Sequence, residues 1–237
     1  MRFPILFYRY FDEYNIELNA LDYFEIFLWI LSMVVFIIVG LTFYKDSKKR
    51  NKMYINLALF FSFFAISRVF RLISKFVIGY QYGTTQFTGT LLILAILFNI
   101  VSYIGLFAYY LYLEKRVVKK THYFLSICII IVIIISIISY FVYVFIYLLI
   151  PFYLIVILSI PIIYTILAIR SEGKVRVSAI IIMIGMMLII IGNALDAPGF
   201  APFLARLPIL TVIAQIAAPS LMIVGCLLIR KGFPREL

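Results

Sequence analysis

YFLSICIIIVIIISIISYFVYVFIYLLIPFYLIVILSIPIIYTILAI, residues 123–169, carries no charged side chain over its whole length. As one helix at 1.5 Å per residue it would run roughly 70 Å, about twice the thickness of a membrane. It must therefore fold back once and hold two spans. The aromatic cluster YFVYVFIY, 140–147, suits a turn at the membrane–water interface, and Pro151 suits the first turn of the helix that follows. The reading predicts helices over 123–143 and 148–169. Whether this stretch holds one span or two decides whether the chain's ends lie on the same side of a membrane.

Working outward, five more apolar runs of similar length appear, over 24–44, 54–78, 87–113, 175–195 and 209–229. The links between them are short and polar: KDSKKRNK, GYQYGTTQ, EKRVVKKTH, RSEGKVR and the Pro/Gly-rich DAPGFAPFLARLP. The predicted fold class is all-α, a polytopic membrane protein of seven transmembrane helices. Three parts are expected: residues 1–23 as an outer interfacial segment rich in Phe and Tyr, 24–229 as the bundle, and 230–237 as a short basic cytoplasmic tail. MRFPILFYRYFDEYNIELNALDYF, at the N-terminus, has its apolar patches broken by charges and no cleavage site after an apolar core, so it does not read as a signal peptide.

Composition agrees. The chain of 237 residues is 66% hydrophobic and 13% charged, against about half apolar and a quarter charged in soluble domains. The net charge of +11 would suggest nucleic acid in a soluble protein. Here the basic residues sit in separate links, so nucleic-acid binding is excluded and membrane lipids are the expected partners. Lys and Arg number five, four, three and three after helices 1, 3, 5 and 7; the links after helices 2 and 4 have none and that after helix 6 has only Arg206. By the positive-inside rule the N-terminus is outside and the C-terminus inside, in the cell membrane. Cys128 and Cys226 fall within apolar runs and read as buried small hydrophobes. No internal repeat is evident, so a duplicated half-transporter is not indicated.

AISRVFRLISKF, 65–76, places Arg68, Arg71 and Lys75 inside helix 2. A charge at the bilayer centre costs about 2.5–3.5 kcal/mol on insertion scales. Lys75 can reach outer headgroups; Arg68, roughly 21 Å into the span, needs a partner. The candidates at outer-half depth are few: Glu25 beside Asp22 on helix 1, Asn193 and Asp196 three apart on helix 6, and Gln215 on helix 7. Asn99 and Tyr103, four apart on helix 3, would floor the cluster. These residues, with Arg68 and Arg71, form the candidate ligand-binding site. Its alternatives are ion pairs that lock helices 1, 2 and 6 together, or an anion-binding pocket open to the outside. A voltage-sensing ladder is disfavoured by its shortness. Gly185 and Gly192 suit close packing of helix 6, and Pro161 and Pro219 suit kinks.

Catalytic signatures are scarce. His122 stands alone without Glu or Cys at ligand spacing, and no zincin, nucleophile-elbow or phosphate-loop motif occurs. No metal or other cofactor is implied. The topology matches that of rhodopsins and G-protein-coupled receptors, but helix 7 lacks the retinal lysine and an Asn-Pro-x-x-Tyr motif. Glu114, Lys115 and Arg116 read as an interfacial charge cluster.

The stretches FFAISRVFRLIS and IAAPSLMIVGCLLIRKGF resemble helices 2 and 7 of prokaryotic, especially archaeal-type, seven-helix sensor proteins. Some of those carry a cytoplasmic kinase domain after helix 7. About eight residues follow helix 7 here, so no such domain is expected, and the resemblance implies a receptor-like sensor with a separate cytoplasmic signalling partner. The sequence-based expectation is non-enzymatic: a small anionic or lipidic ligand binds from outside and shifts helices 6 and 7. The alternatives are a small transporter or channel, for which a homo-oligomer could build the polar path, and a membrane-embedded enzyme using Asp196.

Overall fold

A computed structural model describes residues 20–49, 52–78, 89–118, 122–141, 145–196 and 208–233. The described residues form helices and no strand: α1 (Ala20–Lys49), α2 (Tyr54–Leu72) continued by a π-helical turn (Ile73–Ile78), α3 (Gly89–Arg116), α4 (Phe124–Phe141), α5 (Phe145–Arg170), α6 (Gly173–Leu195) and α7 (Pro208–Gly232). Six are long and apolar enough to cross a membrane, and α4 is a shorter apolar helix. Six such spans make the chain a multi-pass membrane protein.

The apolar stretch 123–169 is two helices, as its length requires. The turn between them, 142–144, lies outside the described residues, as do most of the expected interfacial segment 1–23 and the last four residues of the tail. Pro151 is a correction: α5 starts at Phe145, so this proline sits beyond the first turn and has no N–H to give the Tyr147 carbonyl. α1 is also longer than predicted and runs through the basic link to Lys49.

Each helix packs on its neighbours in chain order, and α7 closes the ring against α1. Apolar residues point both ways, as lipid demands. On α1, Phe36, Val39 and Phe43 are buried while Ile37, Ile38 and Leu41 are exposed. The interior is aromatic. Phe36, Phe43, Phe60, Phe61 and Phe64 pack ring to ring at centroid distances of 4.9–5.8 Å. Between α3 and α5, Tyr109 donates to or accepts from Tyr164 at 3.1 Å, and Tyr110 donates to the Val156 carbonyl.

The tightest contact joins α6 to α7. Small residues recur every seven positions on both helices, Ser178, Gly185 and Gly192 facing Gly232, Gly225 and Ala218. Seven residues are two helical turns, so the rungs stack along one seam. A Cβ on Gly225 would lie 2.5 Å from the Gly185 carbonyl oxygen, and one on Gly192 2.7 Å from that of Ala218. The predicted packing role of Gly185 and Gly192 is what the structure has, with a partner row on α7.

Glu114, read from the sequence as part of a charge cluster with Lys115 and Arg116, is buried at 4% exposure. Its carboxylate accepts from the Leu125 N–H at 2.8 Å, the Ser126 N–H at 3.2 Å and the Ser126 hydroxyl. It therefore caps the start of α4 from the neighbouring helix, supplying acceptors and negative charge where unpaired N–H groups collect. Glu114→Ala is expected to cost about 2 kcal/mol, since three buried donors lose a charged acceptor. A thermal melt in detergent reads this loss, and an unchanged midpoint would show the cap to be dispensable.

Candidate functional site

The predicted polar residues converge at one end of the bundle, where α2 and α6 finish and α1 begins. Arg68 is 1% exposed. Three rings surround its guanidinium, Trp29 of α1, Phe64 one turn back on α2 and Phe98 of α3, with centroids 5.3, 5.0 and 5.2 Å away. The ring faces attract the cation. Its Nη1 donates to Asp196 Oδ2 at 3.4 Å, and its Nη2 donates to Asn193 Oδ1. Asn193 and Asp196 are three apart on α6 and share a face, as their spacing predicts.

Asp196 is the hub. Its side chain is 5% exposed, and the same Oδ2 also accepts from Arg71 Nε at 3.2 Å. Arg71 Nη2 donates to the Asp196 carbonyl at 2.7 Å, so a cation closes the C-terminal end of α6, the negative end of its dipole. Lys75 Nζ lies 3.9 Å from Asp196 Oδ1.

Lys75 corrects one expectation and Glu25 another. Lys75 does not turn away toward headgroups. It forms an ion pair with Glu25, which takes the role that Arg68 was expected to share. The π turn explains the change. It closes its hydrogen bonds i→i+5 instead of i→i+4, which re-aims every side chain after Leu72. Glu25 is 1% exposed and also accepts from Trp29 Nε1 at 3.2 Å, four residues on along α1. Asp22, one turn earlier on α1, is buried at the same end. Among the described residues at this end the charges are equal in number: Arg68, Arg71 and Lys75 against Asp22, Glu25 and Asp196.

Tyr103 contacts the site indirectly. Its ring meets Tyr153 of α5 edge-on at 6.3 Å, and Tyr153 in turn lies near the Asn193 side chain. Asn99 is half-buried on α3 beside Phe98. Gln215 is half-buried on α7 and makes no hydrogen bond to this cluster among the described residues; its carbonyl is the one that Pro219 cannot serve.

Trp29, Phe98 and Tyr153 were not among the predicted site residues. Trp29 had a local signal, since it follows Glu25 at i+4. Phe98 and Tyr153 had none, because only the packing of α3 and α5 brings them here.

Two atoms deep in the cluster, Arg68 Nε and Glu25 Oε2, have no hydrogen-bond partner among the described residues. Unmet buried polar atoms cost about 1–3 kcal/mol each, more when charged. Among the described residues no group of three metal-ligating side chains occurs. What the site can do is electrostatic: exchange acid partners among three cations or admit an anion. No known family matches the chain, and no curated protein or solved structure shows detectable similarity to it.

Proposed function

We propose that the chain is a non-enzymatic seven-helix sensor of the cell membrane, N-terminus outside and C-terminus inside. It binds a small anionic or lipidic ligand from the outer side and signals through a separate cytoplasmic partner. The basic residues support the orientation: Lys48, Lys49, Lys115, Arg116, Arg170, Lys174 and Lys231 cluster at the bundle end opposite Asp196. α4, with 18 residues, is about 27 Å long and reaches across the hydrocarbon as the seventh span.

The observation that carries the reading is the asymmetry of the interior. At the Asp196 end, charged groups are buried yet two of them stay partly open, Arg71 at 24% and Lys75 at 27% side-chain exposure. In the other half the charged groups, Glu114 and the Arg230–Asp46 pair, are held in closed contacts, and rings of Phe43, Tyr54, Tyr112 and Phe233 close its end. Polar entry on one side with an aromatic seal on the other suits a receptor and leaves a channel without a path. An arriving anion competes with Asp196 for Arg71 and Lys75, while Arg68 stays held in its ring box. Binding then favours whichever arrangement frees α6 from α2.

Native mass spectrometry of the solubilised protein tests this, beside Arg71→Gln. An anionic adduct on the wild type, lost or at least tenfold weaker on the variant, supports the reading. A bare chain in both spectra, with the variant merely less stable, shows that the charges are structural.

A further inference from the structure

The α6–α7 seam ties the proposed site to the far end of the bundle. Its first rung, Gly192–Ala218, adjoins Asn193, the residue that holds Arg68. Its last rung, Ser178–Gly232, adjoins Phe233. Between them the backbones touch through Gly185 and Gly225, with no side chain interposed to deform. Two helices in such contact slide or tilt as one body, because packed interiors yield by discrete shifts and not by stretching.

At the far end this pair is fastened to α1, α2 and α3 by a small set of contacts. Arg230 Nη2 donates to Asp46 Oδ2 of α1 at 2.9 Å, and its guanidinium lies 5.0 Å from the Phe43 ring centroid. Phe233 sits edge-on against three rings, Phe43, Tyr54 and Tyr112, at 5.5, 6.4 and 5.6 Å. At the site end the same pair is fastened to α2 by Asp196 and Asn193. Besides the packing of α7 along α1, the pair therefore carries one polar latch toward helices 1 to 3 at each end.

We propose that α6 and α7 form a rigid lever, and that releasing Asp196 from Arg68 and Arg71 withdraws Phe233 from its three-ring socket and breaks Arg230–Asp46. This rests on the sensor reading and adds its output: the socket and the freed Asp46 are what a cytoplasmic partner would meet.

The test needs no ligand. Spin labels are placed on the full chain, reconstituted in lipid, at two exposed pairs: Lys49→Cys with Lys231→Cys across the latch, and Lys174→Cys with Lys231→Cys across the seam. Cys128 and Cys226 are buried and take no label. Pulsed electron resonance then compares the parent with Asp196→Asn and, should that variant fail to fold, with Arg71→Gln. The expected result is a longer 49–231 distance, by several ångströms, with the 174–231 distance unchanged. Arg230→Gln, which opens the latch directly, should give the same lengthening. An unchanged 49–231 distance in a folded variant overturns the lever, and so does a shift confined to 174–231. The two proposals fail separately. Ligand lost from Arg71→Gln with no change in distance leaves binding without the lever. A lengthened distance with no adduct on any spectrum leaves the lever without this ligand site.

Discussion

Asp196→Asn destabilises the bundle more than Arg68→Met does, although the two side chains share one ion pair. Removing one partner of a buried pair usually costs about 3–5 kcal/mol, because the other charge is left without compensation. The two partners here are not equivalent. Asp196 faces three cations, with Arg68, Arg71 and Lys75 all within 4 Å of its carboxylate. Its neutralisation strands Arg68 among three rings and removes the acceptor that holds Arg71. Loss of the Arg68 charge leaves Asp196 still paired with Arg71 and near Lys75. Methionine in that ring box keeps the volume and gains sulfur–aromatic contact, offsetting about 0.5–2 kcal/mol of lost cation–π attraction. The expected costs are about 4 kcal/mol for Asp196→Asn and about 1–2 kcal/mol for Arg68→Met. Thermal unfolding in detergent ranks them. The double variant should melt close to Asp196→Asn alone, because the second change then removes a charge that has lost its partner. Equal costs, or the reverse order, would mean that Asp196 is not the hub of the network.

How this cluster was legible beforehand is itself a matter of charge in an apolar run. Arg68, Asp196 and Asn193 stand out because a buried charge in a lipid-facing sequence has few affordable partners. Their depth along helices of known rise placed them at one level before any packing was known. The choice of partner was not legible. It depends on the π turn at Ile73–Ile78, which rotates Lys75 onto Glu25, and nothing in ISKFVI distinguishes a π turn from continued α-helix. Phe98 and Tyr153 lay hidden for a different reason. In a chain with this many aromatic residues, a ring beside a cation has no local mark. Glu114 shows the converse. Its charge, next to Lys115 and Arg116, reads as surface, and only the approach of α4 turns it into a cap. The helices themselves were the easiest part, since apolar length marks where each one runs, and six of them are long and apolar enough to cross a membrane.

The row Ala218, Gly225, Gly232 was as visible in the sequence as Gly185 and Gly192, but it acquires meaning only opposite a second row. Its largest expected consequence is that Gly225→Ala breaks the α6–α7 pair. In an isolated helix this change would help by about 1 kcal/mol, since alanine is the better helix former. Here the new methyl would stand 2.5 Å from the Gly185 carbonyl oxygen and 2.9 Å from an Ile189 side-chain carbon. The carbonyl belongs to backbone, so it cannot rotate aside. The helices must part, and parting opens the flanking rungs as well. Overpacking of this kind costs about 1–3 kcal/mol and occasionally more, and a backbone contact belongs at the upper end. Gly40→Ala is the fitting control, because the nearest atom to its added Cβ is the Ser62 hydroxyl at 3.1 Å, the end of a side chain that can turn. The expected order of melting points is parent, then Gly40→Ala slightly lower, then Gly225→Ala lower by several degrees. Gly185→Ala should match Gly225→Ala, and combining them should cost less than the two losses added, because one separation relieves both clashes. If Gly225→Ala melts with the parent, α6 and α7 are not in backbone contact in the membrane, and the lever loses its shaft.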